Sequence, residues 1–512
     1  MSGAPHRSDF DAEPAASRVH FQQNTRPALA AVDLGADSCR VSLLRWMEDQ
    51  PEILLVHRFA NAPVQEYNTL RWDIRRICDG VQEGLRACAE LAPEGIASVG
   101  VDGWAVDYVR LNEAGHPIGN PFCYRDQRNI ASQKEVHLRI SADRLYRLTG
   151  IQVLPFNTLY QLHADRSQGI RQSTPWLNLP EFMLHHLGGQ RVSEYTNATH
   201  TQLLSIENQS WCPEIFQAVG LDLGAAPPVV RPGTDIGRIG GKLATFPAFR
   251  NTRLIAPACH DTAAAIAGIS AEGDDWAFLS SGTWSLLGCV LEAPCVGNTA
   301  AYGNFSNEGG VGGKINFLKI VNGMWLLQQC MAEWQSRGYP ATLEDLLTEC
   351  AVLPPPSIAF DVDDPSLLLP GNMPARINAV LTRAGHPAIS EEPAAAPALA
   401  NLIFHGLAAR YASVLRDLAS LTGRTLKRLF VVGGGSKNSL LNRLTEKATG
   451  LQILAGPVES STVGNFAIQL AALAGDYNQN IGVTAKAVAG WAGLLADRAV
   501  VPVRMQPATI NH

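Results

Sequence analysis

The feature that most constrains this chain is a pair of short polar turns, one in each half, each set between apolar strands. Asp33-Leu34-Gly35-Ala36-Asp37 separates the apolar run 29–32 from 40–46, and a third run follows at 53–59. Ser280-Ser281-Gly282-Thr283 separates 276–279 from 284–290 in the same way. Strands this closely spaced pair as antiparallel meanders, so the chain has to build two sheets, each opened by a polar hairpin. Helical periodicity follows each meander. Apolar residues recur at 74, 77, 81, 85 and 88, which predicts a helix over 74–91, and further helices are expected over 324–335, 398–421, 439–449 and 460–474. Strands are expected at 96–101 and 429–432. This alternation predicts an α/β molecule of two domains whose polar turns face one cleft. A length of 512 residues, too great for one ordinary core, agrees. No repeat at a fixed period joins the halves. The boundary is expected in the polar stretch 271–275. That gives a mobile extension over 1–26, a first domain over 27–271, a second over 272–500 and a tail over 501–512.

Composition excludes several classes. Apolar residues make up 46% and charged residues 17%, a globular balance. A net charge of -6 leaves no electrostatic footprint for nucleic acid or an anionic membrane. No apolar run is long enough to predict a membrane span, and the polar first 26 residues lack the apolar core of a signal peptide. The ten cysteines form no C-x-x-C pair and several lie in apolar runs, as free buried thiols do. A cytoplasmic, reducing location is the expectation.

The nucleotide motifs of other folds are missing. Gly433-Gly434-Gly435-Ser436-Lys437-Asn438 lacks the spacing of a Walker A loop, and Gly312-Gly313-Lys314 is followed by Ile315. What remains are polar turns at strand ends. Asp33 to Arg40 reads as an ordinary hairpin turn, or as a loop whose backbone N–H groups cradle phosphate while Asp33 holds hydrated magnesium. Ser280 to Thr283 admits the same two readings, and the matching pair strengthens the second. His260-Asp261-Thr262 enters an apolar helix. There Asp261 serves as a cap, or as a general base kept ionised by the helix dipole, taking the proton of a hydroxyl that attacks a γ-phosphate. The glycines at 433–435 let a flat ligand approach closely, or form a plain strand-to-helix turn. Asp102-Gly103-Trp104-Ala105-Val106-Asp107 and Tyr124-Arg125-Asp126-Gln127-Arg128 set aromatic faces beside charged groups. That mixture suits the ring and hydroxyls of a sugar and also occurs in surface loops with one salt bridge.

Read in order, the motifs form a familiar set. They are D-L-G-A-x-S-x-R from Asp33, V-D-x-W-x-V-D from Val101, Y-R-D-x-R from Tyr124 and G-I-Q-x-L-P-F-N-T-L-Y-Q-L from Gly150. E-Y-T-N-A-T from Glu194, H-D-T-A from His260, S-S-G-T-W-S-L from Ser280 and N-E-G-G from Asn307 follow. V-G-G-G-x-x-N from Val432 and A-G-P-V-E-S-S-T-x-G-N from Ala455 complete it. The set spans about 29 to 475 and resembles the FGGY carbohydrate kinases, within them the rhamnulokinases. The resemblance implies two actin-like, ribonuclease-H-like α/β domains hinged around a catalytic cleft. It implies transfer of the ATP γ-phosphate, with Mg2+, to the 1-hydroxyl of L-rhamnulose in L-rhamnose catabolism. Carried over by motif, Asp261 is the proton acceptor, and Asp102, Trp104, Ala105, His260, Thr262 and Ile320 meet the sugar. Ala36, Asp37, Ser38, Cys39, Arg40 and Thr283 hold the phosphates, Gln328 and Gly434 contact the nucleotide, and Asp33 lies near the metal.

Three motifs depart from the family pattern. D-T-W-G-V-D reads with Gly103 and Ala105 beside Trp104. K-N-I-M-G reads Lys319-Ile320-Val321-Asn322-Gly323, so Ile320 replaces a sugar-binding Asn. If this stretch is extended, Asn322 shares the face of Ile320. Cys39 replaces a glycine of the first loop. The first two bear on which sugar is taken, so L-fuculose or a pentulose stands behind L-rhamnulose. An actin-fold ATPase would need no sugar clamp at Asp102, Trp104 and Arg125, and a sugar sensor would need no Asp261. The partners implied are ATP and a ketose, and the oligomeric state stays open.

Overall fold

The computed structural model describes residues 26–339, 341–496, 498 and 500–502. Residues 1–25 of the extension expected over 1–26, and residues 503–512 of the tail expected over 501–512, lie outside them. Strand β1 (Ala28–Leu34) pairs antiparallel with β2 (Ser38–Met47), and β2 with β3 (Gln50–Ala60). Helix α1 (Ile74–Leu91) spans the predicted residues, started by Asp73, whose side chain accepts from the Arg76 N–H. Strand β4 (Ile96–Gly103) returns parallel to β1, and β5 (Thr234–Arg238) and β6 (Arg253–Ala256) extend the sheet. The short helix α2 (Asp261–Ala267) follows β6.

The second half contains β7 (Trp276–Ser281), β8 (Trp284–Leu291), β9 (Ser306–Gly309) and β10 (Ile315–Asn322). Helices α3 (Trp325–Ser336) and α4 (Ala396–Thr422) come next, then β11 (Arg428–Val432), α5 (Ser439–Thr449) and β12 (Gln452–Ala455). Strands β10, β8 and β7 are antiparallel, and β7, β11 and β12 parallel. Strands β3, β2 and β1 followed by β4 and β6 have the same order and directions. One topology is therefore built twice. Helix α4 is long and apolar enough to cross a membrane. Here its Leu399, Phe404, Leu407, Tyr411 and Leu418 lie at the centre of the second core.

The chain then returns to the first sheet. Helix α6 (Ser460–Leu473) packs on β1, β4 and α2, helix α7 (Ala485–Ala496) packs on α6, and β13 (Val501–Pro502) pairs with β3. Residues 460–502, expected to close the second domain and start a tail, thus cover the first one. Side-chain alternation explains it. Ala28, Ala30 and Val32 face α1, which leaves Leu29 and Ala31 to be buried by Val463, Phe466, Ile468 and Leu495. Gly464 permits the close approach, since a Cβ there would stand 1.8 Å from the Ala264 carbonyl oxygen. All ten cysteines are free, and none but Cys295 is even partly exposed.

Candidate active site

Strands β1 and β4 and the loop before α2 end side by side. The register sets Asp33 beside Asp102, and Gly103 bridges to His260. Asp33, Asp102 and Asp261 therefore converge at the C-terminal edge of parallel strands, where α/β sheets bind ligands. Asp33 accepts from Arg40 Nη1 at 2.9 Å and Ser461 Oγ at 2.8 Å, and it lines the cleft. Asp102 does not line it. Its carboxylate is fully buried, accepts from Asn465 Nδ2 at 2.6 Å, and keeps one oxygen without a partner. Burial, and then the nearby Asp33, push its carboxyl well above the usual range.

His260 occupies the N-cap of α2 and Asp261 is its first residue. The side chain of Asp261 is 33% exposed, facing the cleft. Burial, reinforced by Asp33, pushes it up to about 6, with the Thr262 hydrogen bond opposing. The expected dipole effect of this short helix is overridden, but Asp261 is still ionised at neutral pH. The loop carrying it is anchored by the E-Y-T-N motif. Glu194 accepts from the Cys259 N–H at 2.9 Å, and Thr196 Oγ1 accepts from the His260 N–H at 3.3 Å. Glu181 backs this layer, accepting from the Glu194 N–H at 3.0 Å and Asn197 Nδ2 at 2.9 Å. Burial pushes Glu194 up to about 7 and Glu181 up to about 8.

A cavity of about 590 Å³ runs between the two sheets. One end is walled by Trp104, Ala105, Val106, Phe156, Leu286 and Ile320, and Asp261 lines the same cavity. Val106, a β-branched residue, has φ 70° there, a strained conformation of the kind stored at functional sites. Its carbonyl is held by Thr158 Oγ1 at 2.7 Å and Gln161 Nε2 at 3.2 Å. Asp107 accepts from Trp72 Nε1 at 2.6 Å and Trp104 Nε1 at 3.0 Å, which fixes the Trp104 ring. Asn322 does not substitute at position 320: its amide donates to the Val362 carbonyl at 2.7 Å. Arg125, expected as part of a sugar clamp, lies 3.6 Å above the Trp325 ring and donates to the Leu368 carbonyl at 3.0 Å. It joins the domains instead.

The other end is lined by the two turns and by Gly433, Gly434 and Gly435. Thr283 Oγ1 donates to Asp37 Oδ2 at 3.0 Å, so the turns oppose one another across the cleft. Gly433 has φ +78°, the left-handed region that glycine enters freely. Gln328 lines this end beside Met324, Leu327 and Met331. That apolar face was missed from sequence, although its spacing along one side of α3 is helical. Of the residues expected at the site, all line the cavity except Asp102, Cys39 and the clamp residue Arg125. The Cys39 thiol turns into the core and donates to the Gly35 carbonyl, because β2 alternates and Arg40 takes the cleft side. His200, which lines the cavity, and Glu308, in contact with it, were also missed, since nothing in their spacing announces that they meet.

This arrangement offers a carboxylate base between an apolar pocket and two opposed loops whose backbone N–H groups suit phosphate. Comparison with known proteins gives it a family. The chain matches the N-terminal domain of the FGGY family of carbohydrate kinases over residues 28–268 and the C-terminal domain over 277–473. It is 36% identical to a rhamnulokinase of Bacteroides thetaiotaomicron over 442 residues, 86% of this chain and 89% of that one. It is 36% identical to a rhamnulokinase of Klebsiella pneumoniae over 450 residues, again 86% and 89% of the two chains. Among solved structures, a ligand-bound xylulose kinase of Lactobacillus acidophilus aligns with TM-score 0.72 at 17% identity, covering 93% of this chain and 94% of its own. Plasmodium falciparum glycerol kinase with ADP aligns with TM-score 0.70 at 14% identity, covering 94% of each chain. The fold is the actin-like one, and the chain belongs to the FGGY family of carbohydrate kinases, as an enzyme that phosphorylates a sugar from ATP.

Proposed function

We propose that this kinase phosphorylates the 1-hydroxyl of L-rhamnulose, yielding L-rhamnulose 1-phosphate and ADP. The observation that carries the reading is the position of Asp261. Its carboxylate lies in one cavity with an apolar pocket on one side and the opposed turns at Asp37 and Thr283 on the other. A ketose seated against Trp104 presents its terminal hydroxyl to Asp261, which takes the proton as the oxygen attacks the γ-phosphate. The proton acceptor has to be ionised, and at about 6 Asp261 is ionised near neutrality. Ala36 to Arg40, Thr283 and Gly434 hold the phosphates and Gln328 meets the nucleoside. Asp33 is the residue that would hold Mg2+. It presents carboxylate oxygen to the cavity, in line with magnesium's preference for one or two carboxylates plus phosphate and water. The metal, when bound, neutralises phosphate charge.

The wall of Phe156, Leu286 and Ile320 favours a 6-deoxyketose, whose terminal methyl needs an apolar surface, over a pentulose. The curated relatives named rhamnulokinase point the same way. The test is coupled ADP release with L-rhamnulose, L-fuculose, L-ribulose and L-xylulose, for the natural chain and Ile320→Asn. The expected order puts L-rhamnulose first. An added amide at position 320 changes the ratios of kcat/KM by roughly two- to twelve-fold, the worth of one neutral hydrogen bond. Turnover of another ketose without L-rhamnulose rejects the substrate assignment and leaves the kinase standing.

A further inference from the structure

We propose that His200, oriented by Glu308, reads a hydroxyl of the bound sugar and so helps determine specificity; this rests on the ketose-kinase reading. Beyond His260 and Thr262, which lie against Asp261 at 3.5 and 3.2 Å, the polar groups at the sugar end are few. Trp104 Nε1 donates to Asp107, and the Tyr124 hydroxyl accepts from Trp284 Nε1. Gln152 spends both ends of its amide on the Ile320 backbone, at 2.9 and 3.1 Å. Asp261 is committed to the attacking hydroxyl. A ketose carries several further hydroxyls, and a desolvated hydroxyl left unpaired costs affinity. His200 lines the cavity, is 4% exposed, and neither of its ring nitrogens makes an aligned hydrogen bond within the protein.

Its surroundings fix the ring for that task. His200 Nε2 lies 2.8 Å from Glu308 Oε2, and the ring stands edge-on to His260 with centroids 4.2 Å apart. Glu308 is 1% exposed, and the two imidazoles are the basic groups it meets, His260 Nδ1 lying 3.7 Å away. With Nε2 beside this carboxylate, Nδ1, buried and without a partner in the protein, is the atom left for the sugar. Burial, helped by His200, holds His260 well below the ordinary imidazole range, so His260 stays neutral. Glu308 sits on β9 of the second sheet, whereas His200 ends the helix Tyr195–His200 of the first domain. The Gly309 N–H donates to Thr199 Oγ1 at 3.0 Å beside them, so the contact is held from both domains.

The experiment uses the full chain with His200→Ala, His200→Gln and Glu308→Gln, each checked for an unaltered melting profile. Sugar affinity is read without turnover from tryptophan fluorescence, since Trp104 and Trp284 line the cavity, and KM for sugar and for ATP are measured separately. His200→Ala is expected to weaken sugar binding by about 10-fold, the loss of one hydrogen bond to a desolvated group, with KM for ATP unchanged. His200→Gln recovers part of the loss. Among monodeoxy analogues of the preferred ketose, the one lacking the hydroxyl that His200 reads is bound equally by the natural chain and His200→Ala. Glu308→Gln, which removes the carboxylate beside the His200 ring, raises KM for sugar more than it lowers kcat. Unchanged sugar affinity in His200→Ala, or an equal penalty on sugar and ATP, overturns the proposal while leaving the kinase reading intact. A natural chain that phosphorylates no ketose overturns both. Stoichiometric zinc binding that His200→Ala abolishes and that excludes sugar identifies the cluster as a three-ligand metal site and also overturns it.

Discussion

At the scale of single residues, Asp261, as the proposed base, joins catalysis to pH. Asp261→Asn keeps shape and removes the base. The expected result is a fall in kcat of roughly 10²–10⁴-fold with KM for ATP nearly unchanged; retention of more than half the turnover would end the assignment. The kcat/KM of the natural enzyme should decline as pH falls through about 6, where the Asp261 carboxylate is protonated. The same shift acts on stability with a definite sign. A buried acid that titrates above its unfolded value, about 3.9, binds its proton more tightly in the native state. Its contribution is therefore favourable at low pH and is lost as pH rises through about 6. Asp261→Asn should raise the melting temperature at pH 8 and leave it nearly unchanged at pH 4. Thermal melts with the same difference at both values would contradict the shift.

At the scale of elements, the sequence made local structure plain and long-range placement obscure. Helix α1 was legible because Ile74, Ile77, Val81, Leu85 and Cys88 form one buried stripe. The paired turns were legible because polar glycine stretches interrupt apolar runs. Helix α6 was legible as a helix and misplaced as a neighbour: an apolar face shows that something is covered, without naming which sheet. That placement matters for the site, because α6 carries Ser461 to Asp33 and Asn465 to Asp102. Asp102 looked like a sugar ligand for the same reason, since burial by a helix more than three hundred residues later is invisible in D-x-W. Its Asn465 partner continues a buried chain: Gln469 Nε2 donates to Asn465 Oδ1 at 2.7 Å, and Ser98 Oγ to Gln469 Oε1 at 2.6 Å. Asn465→Ala should leave the Asp102 carboxyl unpaired, while Gln469 keeps the Ala30 carbonyl and Ser98, and cost about 1–3 kcal/mol, read as a lower denaturation midpoint. Asn465→Asp puts a second carboxyl against Asp102 and should destabilise more at pH 8 than at pH 5.

At the scale of the whole molecule, the path of the chain makes the cleft a hinge. Between the domains it crosses after α2 and again between β12 and α6, where Gly456 and Pro457 stand. Each polar turn belongs to a different sheet, and the two already touch through Thr283 and Asp37. In the proposed reading nucleotide phosphate enters between them, so its binding draws on both domains at once, and a sugar between Ile320 of one sheet and Trp104 of the other, both of which line the cavity, does the same. A ligand that contacts both walls favours the arrangement in which both contacts are made. Closure also excludes water, which competes with the sugar for the γ-phosphate. Scattering should therefore show a smaller radius of gyration with ketose plus a non-hydrolysable ATP analogue than with either alone. Arg125 supplies a second handle. Its guanidinium stacks on Trp325 and lies 5.1 Å from the Trp284 ring centroid, tying the first domain to the second beside the cleft. Cation–π contacts of this kind are worth about 0.5–2 kcal/mol, enough to move a balanced open–closed equilibrium several-fold. Arg125→Ala should expand the free enzyme and raise ATP hydrolysis in the absence of sugar relative to sugar phosphorylation. If neither ligand pair compacts the natural chain and Arg125→Ala leaves the hydrolysis ratio unchanged, the domains act as one rigid body and the hinge is excluded.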